Sequence, residues 1–202
     1  MSIRQGLLAL LEQGPMYGYQ LRAEFESRTG ATWPLNVGQV YTTLGRLERD
    51  GLVEPAGGDG DGHAVYRITE PGRAEVATWF STSVSRSTPP RDELAIKLAM
   101  AVTVPGVDVQ AVVQAQRAAT IRALQDYTRL KARAGDSMAP EDMAWLLVLE
   151  SLVFAAEAEV RWLDHCEARL RRAASTAVEV RAKRASKPPQ PTRERKRKES
   201  RA

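Results

Sequence analysis

Apolar residues in the first 80 positions recur at helical spacing in four stretches, which glycine, proline and polar residues separate. Each stretch is bounded by residues typical of helix ends: Gly30 and Gly51 follow the second and third, and Asn36 and Thr69 precede the third and fourth. This pattern predicts four amphipathic helices, over residues 3–13, 17–29, 37–50 and 70–80.

Two short stretches between the third and fourth helices favour strands. Residues 52–54 and 63–68 suit strands by their alternation and residue types, and the GGDGDG segment at 57–62 is too long for a two-residue turn. That segment is expected to form a mobile tip. Three helices, a two-stranded wing and a further helix predict a winged helix-turn-helix domain over residues 1–80, and the whole chain is expected to be mainly α.

The third helix has two chemically different faces. At 100° per residue its apolar side chains fall within one third of the circumference, as a face that lies in a core requires. The opposite face carries polar and basic side chains: Gln39, Thr42, Thr43, Arg46 and Arg49. Asn36 and Gln39 form a capping-box pattern, which predicts where this helix begins.

The remainder of the chain is predicted to be a linker, a helical domain and a tail. Residues 81–90 are rich in Ser and Thr and end in two prolines, which indicates a linker. Residues 91–175 have helical patterns, with breaks near 104–108 and 134–142, and residues 176–202 are basic and expected to be disordered. One apolar stripe repeats by four and three and predicts a homodimer interface: Leu149, Val153, Ala156, Val160, Leu163 and Leu170.

Charge is distributed unevenly along the chain. The formal net charge is +4, but residues 181–202 hold ten Lys or Arg against two Glu, so the 180 residues before them carry a net −4. Bulk charge therefore gives no argument for nucleic-acid binding by the folded part. The basic tail has two interpretations that stay open, a solvated end or a sequence-independent contact with DNA phosphates.

Several classes of protein are disfavoured. No apolar run approaches the roughly 18 residues of a membrane span, and the N-terminus lacks the basic lead-in and cleavage site of a signal peptide. The one cysteine, Cys166, excludes an internal disulfide and suits a reducing cytoplasm. Two histidines and one cysteine do not make an ordinary zinc site, and the common catalytic and phosphate-binding motifs are missing. We therefore expect no enzymatic activity, cofactor, metal or membrane partner.

The polar face of the third helix has more than one interpretation. Such a face usually meets water. Its side chains are also those that contact DNA, because Gln suits adenine, Arg suits guanine or phosphate, and Thr suits several bases. Gly38 and Gly45 have no side chains beside this face, so the backbone of a binding partner can approach the helix closely there. Composition and spacing support DNA contact and simple solvation about equally, and docking of another protein is a further alternative.

Five segments resemble the PadR family of transcriptional regulators. They are GPMYGYQL (14–21), VGQVYTTLGRLERDGLV (37–53), VYRITEPG (65–72), RDELAIKLAMA (91–101) and EAEVRWLDHCEARL (157–170). The resemblance covers residues 1–172 and implies a homodimer, with a C-terminal helical dimerisation domain, that binds a pseudo-palindromic operator on double-stranded DNA. It also implies that the protein usually represses nearby genes and, as in many members, releases DNA when a small molecule binds.

The resemblance implies roles for individual residues of the recognition helix and its surroundings. Gln39, Thr42, Thr43 and Arg46 match the groove-facing positions, and Arg49 lies on the same side. Tyr41 matches a family tyrosine that either touches a phosphate or packs, and both alternatives stay open. Among residues outside this helix, those expected at the DNA are Tyr17, Gly18, His63 and Arg67.

The four residues expected at the DNA outside the recognition helix should contribute unequally to DNA binding. Tyr17 and Gly18 begin the second helix and are expected to offer free amides to a phosphate. His63 and Arg67 belong to the wing, which lacks the basic run often seen in this family and carries two aspartates in its tip. We therefore expect a weak wing contact and a dominant contact by the recognition helix.

Six aromatic residues are candidates for the pocket of a flat, hydrophobic or aromatic effector: Trp79, Phe80, Tyr127, Trp145, Phe154 and Trp162. For each of them ordinary packing in a core or interface is the favoured interpretation. Cys166 is expected to be inert rather than a sensor of oxidants. Two alternatives from other classes remain: a winged-helix module that binds a protein, and a dimer that sequesters a small molecule without binding an operator.

Overall fold

The computed structural model describes residues 2–58, 63–85, 91–135 and 139–185, which form an N-terminal and a C-terminal part. The N-terminal part contains four helices, with a 3-10 turn at Leu11–Gln13 after the first. They are α1 (Ser2–Leu10), α2 (Gly18–Arg28), α3 (Val37–Arg49) and α4 (Glu70–Ser81). The four helices predicted from the sequence are confirmed.

A small antiparallel sheet completes the N-terminal part. Its strands are β1 (Met16–Tyr17), β2 (Val53–Gly58) and β3 (Ala64–Ile68), in the order β1-β3-β2. The prediction of two strands is corrected to three, because β1 has only two residues and is too short to show any alternation in sequence. β2 also includes Gly57 and Gly58, which were expected in the tip. The remaining tip residues, 59–62 with their two aspartates, lie outside the described residues.

Helices and sheet of the N-terminal part enclose one hydrophobic core. Its fully buried side chains come from α1, the turn after it, α2, α3 and β2: Leu7, Leu8, Leu11, Leu21, Val40, Leu44, Leu47 and Val53. The apolar face of α3 thus lies in the core, as its periodicity predicts. Each fully buried leucine contributes about 1.5–3 kcal/mol, so the opposite face of α3 is held firmly outward.

Side-chain caps determine where α3 and α4 begin. The Oδ1 of Asn36 accepts a hydrogen bond from the Gly38 amide at 2.8 Å, and the Oε1 of Gln39 accepts one from the Asn36 amide at 3.4 Å. The capping box predicted for α3 is therefore confirmed. Thr69 caps α4 through its side-chain hydroxyl, again as predicted.

The C-terminal part consists of three helices, α5 (Glu93–Thr103), α6 (Val109–Ala134) and α7 (Pro140–Ala185). α6 and α7 pack antiparallel. Gln116 contacts Glu159 at 2.9 Å and Lys131 contacts Glu150 at 2.6 Å, so the contact positions rise along α6 as they fall along α7. With 46 residues, α7 is about 69 Å long and continues past residue 175, the expected end of the domain. Linker residues 86–90 and tail residues 186–202 lie outside the described residues. None of the described helices has the length and apolar character needed to cross a membrane.

The stripe predicted as a dimer interface faces the interior of the single chain. All six of its residues are buried or partly buried: Leu149, Val153, Ala156, Val160, Leu163 and Leu170. Leu149 and Leu163 have no exposed surface, and Leu163 packs with Leu98 of α5 and Val113 of α6. The prediction is therefore wrong for these buried leucines, because helices of the same chain already cover them. A four-three repeat marks the contact surface of a helix pair without indicating whether the mate belongs to the same chain.

Candidate nucleic-acid interface

The outer face of α3 presents the predicted recognition side chains together. Gln39, Thr42, Arg46 and Arg49 are exposed, and Thr43 is half-buried. The burial of the other face in the core determines this orientation, since side chains about 180° apart on a helix cannot both point inward. The structure therefore brings the recognition residues onto one solvent-facing surface.

This surface is electropositive. Within the described part of the chain, Arg46 and Arg49 form no ion pair or side-chain hydrogen bond. The acid at the end of the same face, Asp50, pairs with Arg4 of α1 at 3.1 Å, and Arg4 also contacts Glu75 of α4. Arg4 therefore compensates Asp50 and leaves two guanidinium groups available to an anion. Sequence patterns did not reveal this contribution of Arg4, because it joins residues far apart in the chain.

The threonines and Gln39 have defined hydrogen-bonding capacity. The Thr42 hydroxyl donates to the Gly38 carbonyl, and the Thr43 hydroxyl donates to the Gln39 carbonyl, each at 2.7 Å. Each threonine hydroxyl thus uses its proton within the helix and retains acceptor lone pairs, beside the methyl group of the same side chain. The Oε1 of Gln39 is used by the capping box, which leaves its amide N–H groups as donors. The face therefore combines donors, acceptors and apolar methyl groups.

Tyr41 packs beside this face. Its ring lies so close to Gly18 that a Cβ at position 18 would be 2.7 Å from the Tyr41 Cζ, and the tyrosine also packs against the core. Gly18 is buried, and the Tyr17 amide donates to the Oε1 of Gln20 at 3.1 Å. The expectation that the Tyr17 amide is free for a phosphate is therefore wrong, because the Gln20 side chain already satisfies it.

The wing contributes little free positive charge. Arg67 of β3 pairs with Glu54 of β2 at 2.7 Å, which compensates its charge. His63 stacks on the Tyr17 ring, with centroids 5.2 Å apart, and meets the Tyr19 ring edge-on at 6.3 Å. These ring contacts attach the base of the wing to α2. The sequence contained the residue types for this packing but no spacing that pairs residues 17 and 63.

The six aromatic residues proposed for an effector pocket do not line one cavity within the single chain. Trp79 and Phe80 of α4 lie side by side, with centroids 4.8 Å apart, and line a groove against α1 and α2. The other four belong to α6 and α7: Tyr127, Trp145, Phe154 and Trp162. Along α7 alone, positions 145 and 162 are separated by about 26 Å, so no single small cavity spans them.

Each of these four residues has its own surroundings. Tyr127 lines a cavity of about 370 Å³ between α6 and α7. Trp145 packs on Gly30 at the end of α2, while Phe154 is 65 % exposed. Trp162 borders a cavity of about 300 Å³ that Cys166 also lines. The residues therefore serve different surfaces of the chain.

The groove beside α4 is the largest of these spaces, with a volume of about 840 Å³. Its apolar walls come from α1, α2, α4 and the segment after α2: Ile3, Ala9, Leu10, Phe25, Trp33, Trp79 and Phe80. Glu12, Gln13, Arg28 and Thr29 are the polar residues of its lining. This combination of a large apolar surface and few polar groups is typical of small-molecule sites. The sequence identified two of its aromatic residues but did not pair them with α1 and α2.

A winged helix-turn-helix with a basic outer face on its third helix, joined to an antiparallel helical part, defines a class of transcriptional regulators. Residues 7–78 match the family model described as the transcriptional regulator PadR-like family, and residues 90–171 match the model described as virulence activator alpha C-term. The chain belongs to the PadR-like family of transcriptional regulators, in the form with a C-terminal helical region.

Similar proteins cover nearly the same span. The chain is 28% identical to the probable transcriptional regulator Rv1176c of Mycobacterium tuberculosis over 179 residues, 81% of this chain and 95% of the relative. Bacillus subtilis PadR in complex with operator DNA has a TM-score of 0.63 at 21% identity, with 84% of this chain and 99% of that chain covered. The Vibrio cholerae virulence activator AphA has a TM-score of 0.65 at 22% identity, with 85% and 99% covered. These structures confirm the fold.

Proposed function

We propose that this protein is a homodimeric, sequence-specific DNA-binding regulator, which represses transcription and is released from its operator by a small molecule. The observation that carries this proposal is the outer face of α3, where Gln39, Thr42 and Arg46 are exposed together while the opposite face is buried. The similar fold of Bacillus subtilis PadR, whose structure is a complex with operator DNA, supports the same assignment.

Recognition follows from the size and chemistry of α3. A helix fits the major groove of B-DNA, which is about 12 Å wide. Arg46 is suited to bidentate donation to a guanine, and the Gln39 amide donates to a base acceptor or a phosphate. The methyl groups of Thr42 and Thr43 suit the methyl of thymine. Arg49, near the end of the helix, is suited to a phosphate at the groove edge.

In the proposed homodimer, a second copy of the chain provides the recognition helix for the other half of the operator. α7 exposes Leu147, Phe154 and Trp162, with 59%, 65% and 37% of their surfaces accessible. Apolar residues spaced by seven and eight lie on one face of a helix, and such exposed patches mark interaction sites. A two-fold pairing through this face would present two copies of α3 to half-sites about 34 Å apart, which is one turn of DNA.

The groove beside α4 is the proposed effector site. It borders the end of α2 through Arg28 and Thr29, so a molecule bound there touches the helix that precedes α3. Bacillus subtilis PadR, which has a TM-score of 0.65 to this chain, has been solved in complex with p-coumaric acid. A hundred-fold release from the operator requires about 2.7 kcal/mol of differential binding, which contacts in a groove of this size can supply.

The test of DNA recognition is Arg46→Ala in the full-length protein. We expect operator binding to weaken by about 1–3 kcal/mol, because a guanidinium contact to DNA is lost. The fold should be unaffected, since Arg46 is exposed and has no ion pair among the described residues. Fluorescence anisotropy with the DNA upstream of the protein's own gene, and with a random duplex as competitor, measures this change. Arg129→Ala is the matched control, since Arg129 is an exposed arginine of α6 that contacts Asp126 and the Gln125 carbonyl.

The outcomes separate the alternatives. Equal affinity of the wild type for its upstream DNA and for random DNA would contradict sequence-specific regulation and favour a protein-binding module. Ligand binding without any effect on DNA would favour a dimer that sequesters a small molecule. An unchanged affinity of Arg46→Ala would remove Arg46 from the interface.

A further inference from the structure

The turn between α2 and α3 is covered by the first turns of α7. The Trp145 ring lies against Gly30, so closely that a Cβ at position 30 would be 2.2 Å from the ring carbons Cε3 and Cζ3. Within the described residues, the approach of α2 to α7 is the most extensive contact between helices of the N-terminal and C-terminal parts. Trp145 therefore joins the helical part to the turn that precedes the recognition helix.

The backbone at this turn is held in a demanding conformation. α2 ends in a Schellman motif, in which the Gly30 amide donates to the Ser27 carbonyl at 3.2 Å and the Ala31 amide donates to the Glu26 carbonyl at 2.7 Å. Gly30 has a φ of 57°, as this motif requires, and Ala31 follows with a φ of 52°. A left-handed alanine is an uncommon and strained conformation. The surrounding contacts, including the Trp145 ring, must hold it in place.

A continuous set of contacts leads from this turn to α3. The Glu26 side chain accepts a hydrogen bond from the Leu35 amide at 2.9 Å, and it is paired with Arg22 at the same distance. Arg22 first, and then the Leu35 amide, lower the pKa of Glu26 below its ordinary value, so the acceptor stays ionised. Leu35 is buried and immediately precedes Asn36, the N-cap of α3. The turn therefore determines where the first residues of the recognition helix lie.

The same turn forms part of the groove on its other side. Arg28, Thr29 and Trp33 line the groove beside α4, whereas Trp145 packs on Gly30 from α7. A molecule in the groove and the N-terminal end of α7 thus act on one short segment of backbone. Displacement of that segment by either one shifts the start of α3.

We propose that Trp145 is a positioning residue, which sets the orientation of the recognition helix by clamping the Gly30–Ala31 turn and thereby couples the C-terminal helices to DNA affinity. This inference rests on the proposed DNA-binding function. It assigns to Trp145 a role in regulation rather than in an aromatic ligand pocket. Because the clamp organises α3 before binding, its loss lowers specific affinity more than non-specific affinity.

The experiment compares Trp145→Ala, the conservative Trp145→Phe and the control Tyr127→Ala, which removes an aromatic ring from α6 away from the turn. We expect Trp145→Ala to weaken operator binding at least ten-fold, to leave random-duplex affinity within two-fold, and to speed amide hydrogen exchange over residues 30–39. Trp145→Phe should recover part of both effects. Tyr127→Ala should change neither the exchange of residues 30–39 nor the ratio of the two affinities.

A second substitution tests the contact itself. Gly30→Ala forces the ring aside and should reproduce the faster exchange of residues 30–39, and adding it to Trp145→Ala should produce less than the sum of the two effects. Unchanged exchange over residues 30–39 in Trp145→Ala would overturn the proposal, as would additive effects of the two substitutions. Failure of the wild type to bind operator DNA would instead sink the proposed function, since the exchange measurement uses protein alone.

Discussion

Adding a methyl group at Gly45 should change protein stability and DNA binding in opposite directions. It lies inside α3 beside the polar face, and a Cβ there meets no atom within 4 Å. Gly45→Ala should therefore stabilise the fold by about 0.5–1 kcal/mol, because alanine loses less conformational entropy in a helix. If the DNA backbone approaches this position, the same methyl group should weaken operator binding.

Urea denaturation and operator anisotropy on the same Gly45→Ala preparation measure the two effects. The prediction is a rise in the free energy of unfolding together with a fall in operator affinity. Gly18→Ala is the comparison, because its Cβ collides with Tyr41 and should reduce stability. A Gly45→Ala protein that is more stable and binds its operator unchanged would show that DNA does not come close to this side of α3.

Arg4 links the end of α3 to α4, and its contribution depends on pH. The hydrogen bond from the Arg4 guanidinium to Glu75 is the main cause that lowers the pKa of Glu75 below its ordinary value of 4.5, and burial opposes it. A carboxyl group whose pKa is lower in the folded state stabilises the fold above the unfolded pKa. That stabilisation is lost as the pH falls through the folded pKa.

We therefore expect Arg4→Met to lower the free energy of unfolding by about 1 kcal/mol at neutral pH. The difference from wild type should shrink as the pH falls below 4.5, the ordinary value for Glu75. Denaturant unfolding across this pH range measures it. Arg129→Met serves as control, since that arginine and Asp126 are both 66% exposed and their pairing contributes little. A deficit that persists unchanged in acid would indicate lost packing instead of the ion pair.

For helices and strands, the features predicted correctly from the sequence are those that depend on residues close together in the chain. The capping residues Asn36 and Thr69 and the apolar face of α3 gave helix bounds and orientation, because each depends on residues within a few turns. The two-residue strand β1 and the Arg4–Asp50 pair escaped prediction, since both depend on segments distant in sequence. The apolar stripe of α7 was predicted to be a dimer interface, although its leucines Leu149 and Leu163 are covered within the chain. The periodicity of a helix does not reveal which helix it packs against, because that depends on the tertiary fold.

A cluster of polar side chains between α6 and α7 should stabilise the packing of these two helices. Thr120 is 6% exposed, and its hydroxyl contacts the carboxylate of Glu159, which also accepts from Gln116 at 2.9 Å. Thr120→Val keeps the shape but removes a hydrogen bond to a charged group, so unfolding should become easier by about 1.5–3 kcal/mol.

Thermal and urea denaturation measure the effect of Thr120→Val. The control is Thr128→Val on the same helix, because Thr128 is exposed and its hydroxyl donates to the Leu124 carbonyl of its own helix at 2.8 Å. That substitution should change the free energy of unfolding by no more than about 0.5 kcal/mol. Equal effects of the two substitutions would mean that the cluster has no special part in joining α6 to α7.

In the whole molecule, a single chain leaves several apolar surfaces uncovered. The stripe through Leu149 and Leu163 is used inside the chain, so association requires another surface. The exposed apolar residues of α7 and the groove beside α4 are two candidates, and each carries one highly exposed phenylalanine, Phe154 at 65% and Phe80 at 72%. We assign the first to the partner chain and the second to the effector, which makes the two assignments separable.

Phe154→Glu and Phe80→Glu form a matched pair for this purpose. A buried carboxylate at a two-fold interface is desolvated and lies near its symmetry mate, so Phe154→Glu should weaken the dimer by well over ten-fold and abolish tight operator binding. Phe80→Glu should leave the dimer intact, because it alters only the groove. Sedimentation across a range of concentrations measures the dimer, and circular dichroism checks that both variants fold. The opposite result, with Phe80→Glu monomeric and Phe154→Glu dimeric, would move the interface to the groove and leave the proposed effector without a site.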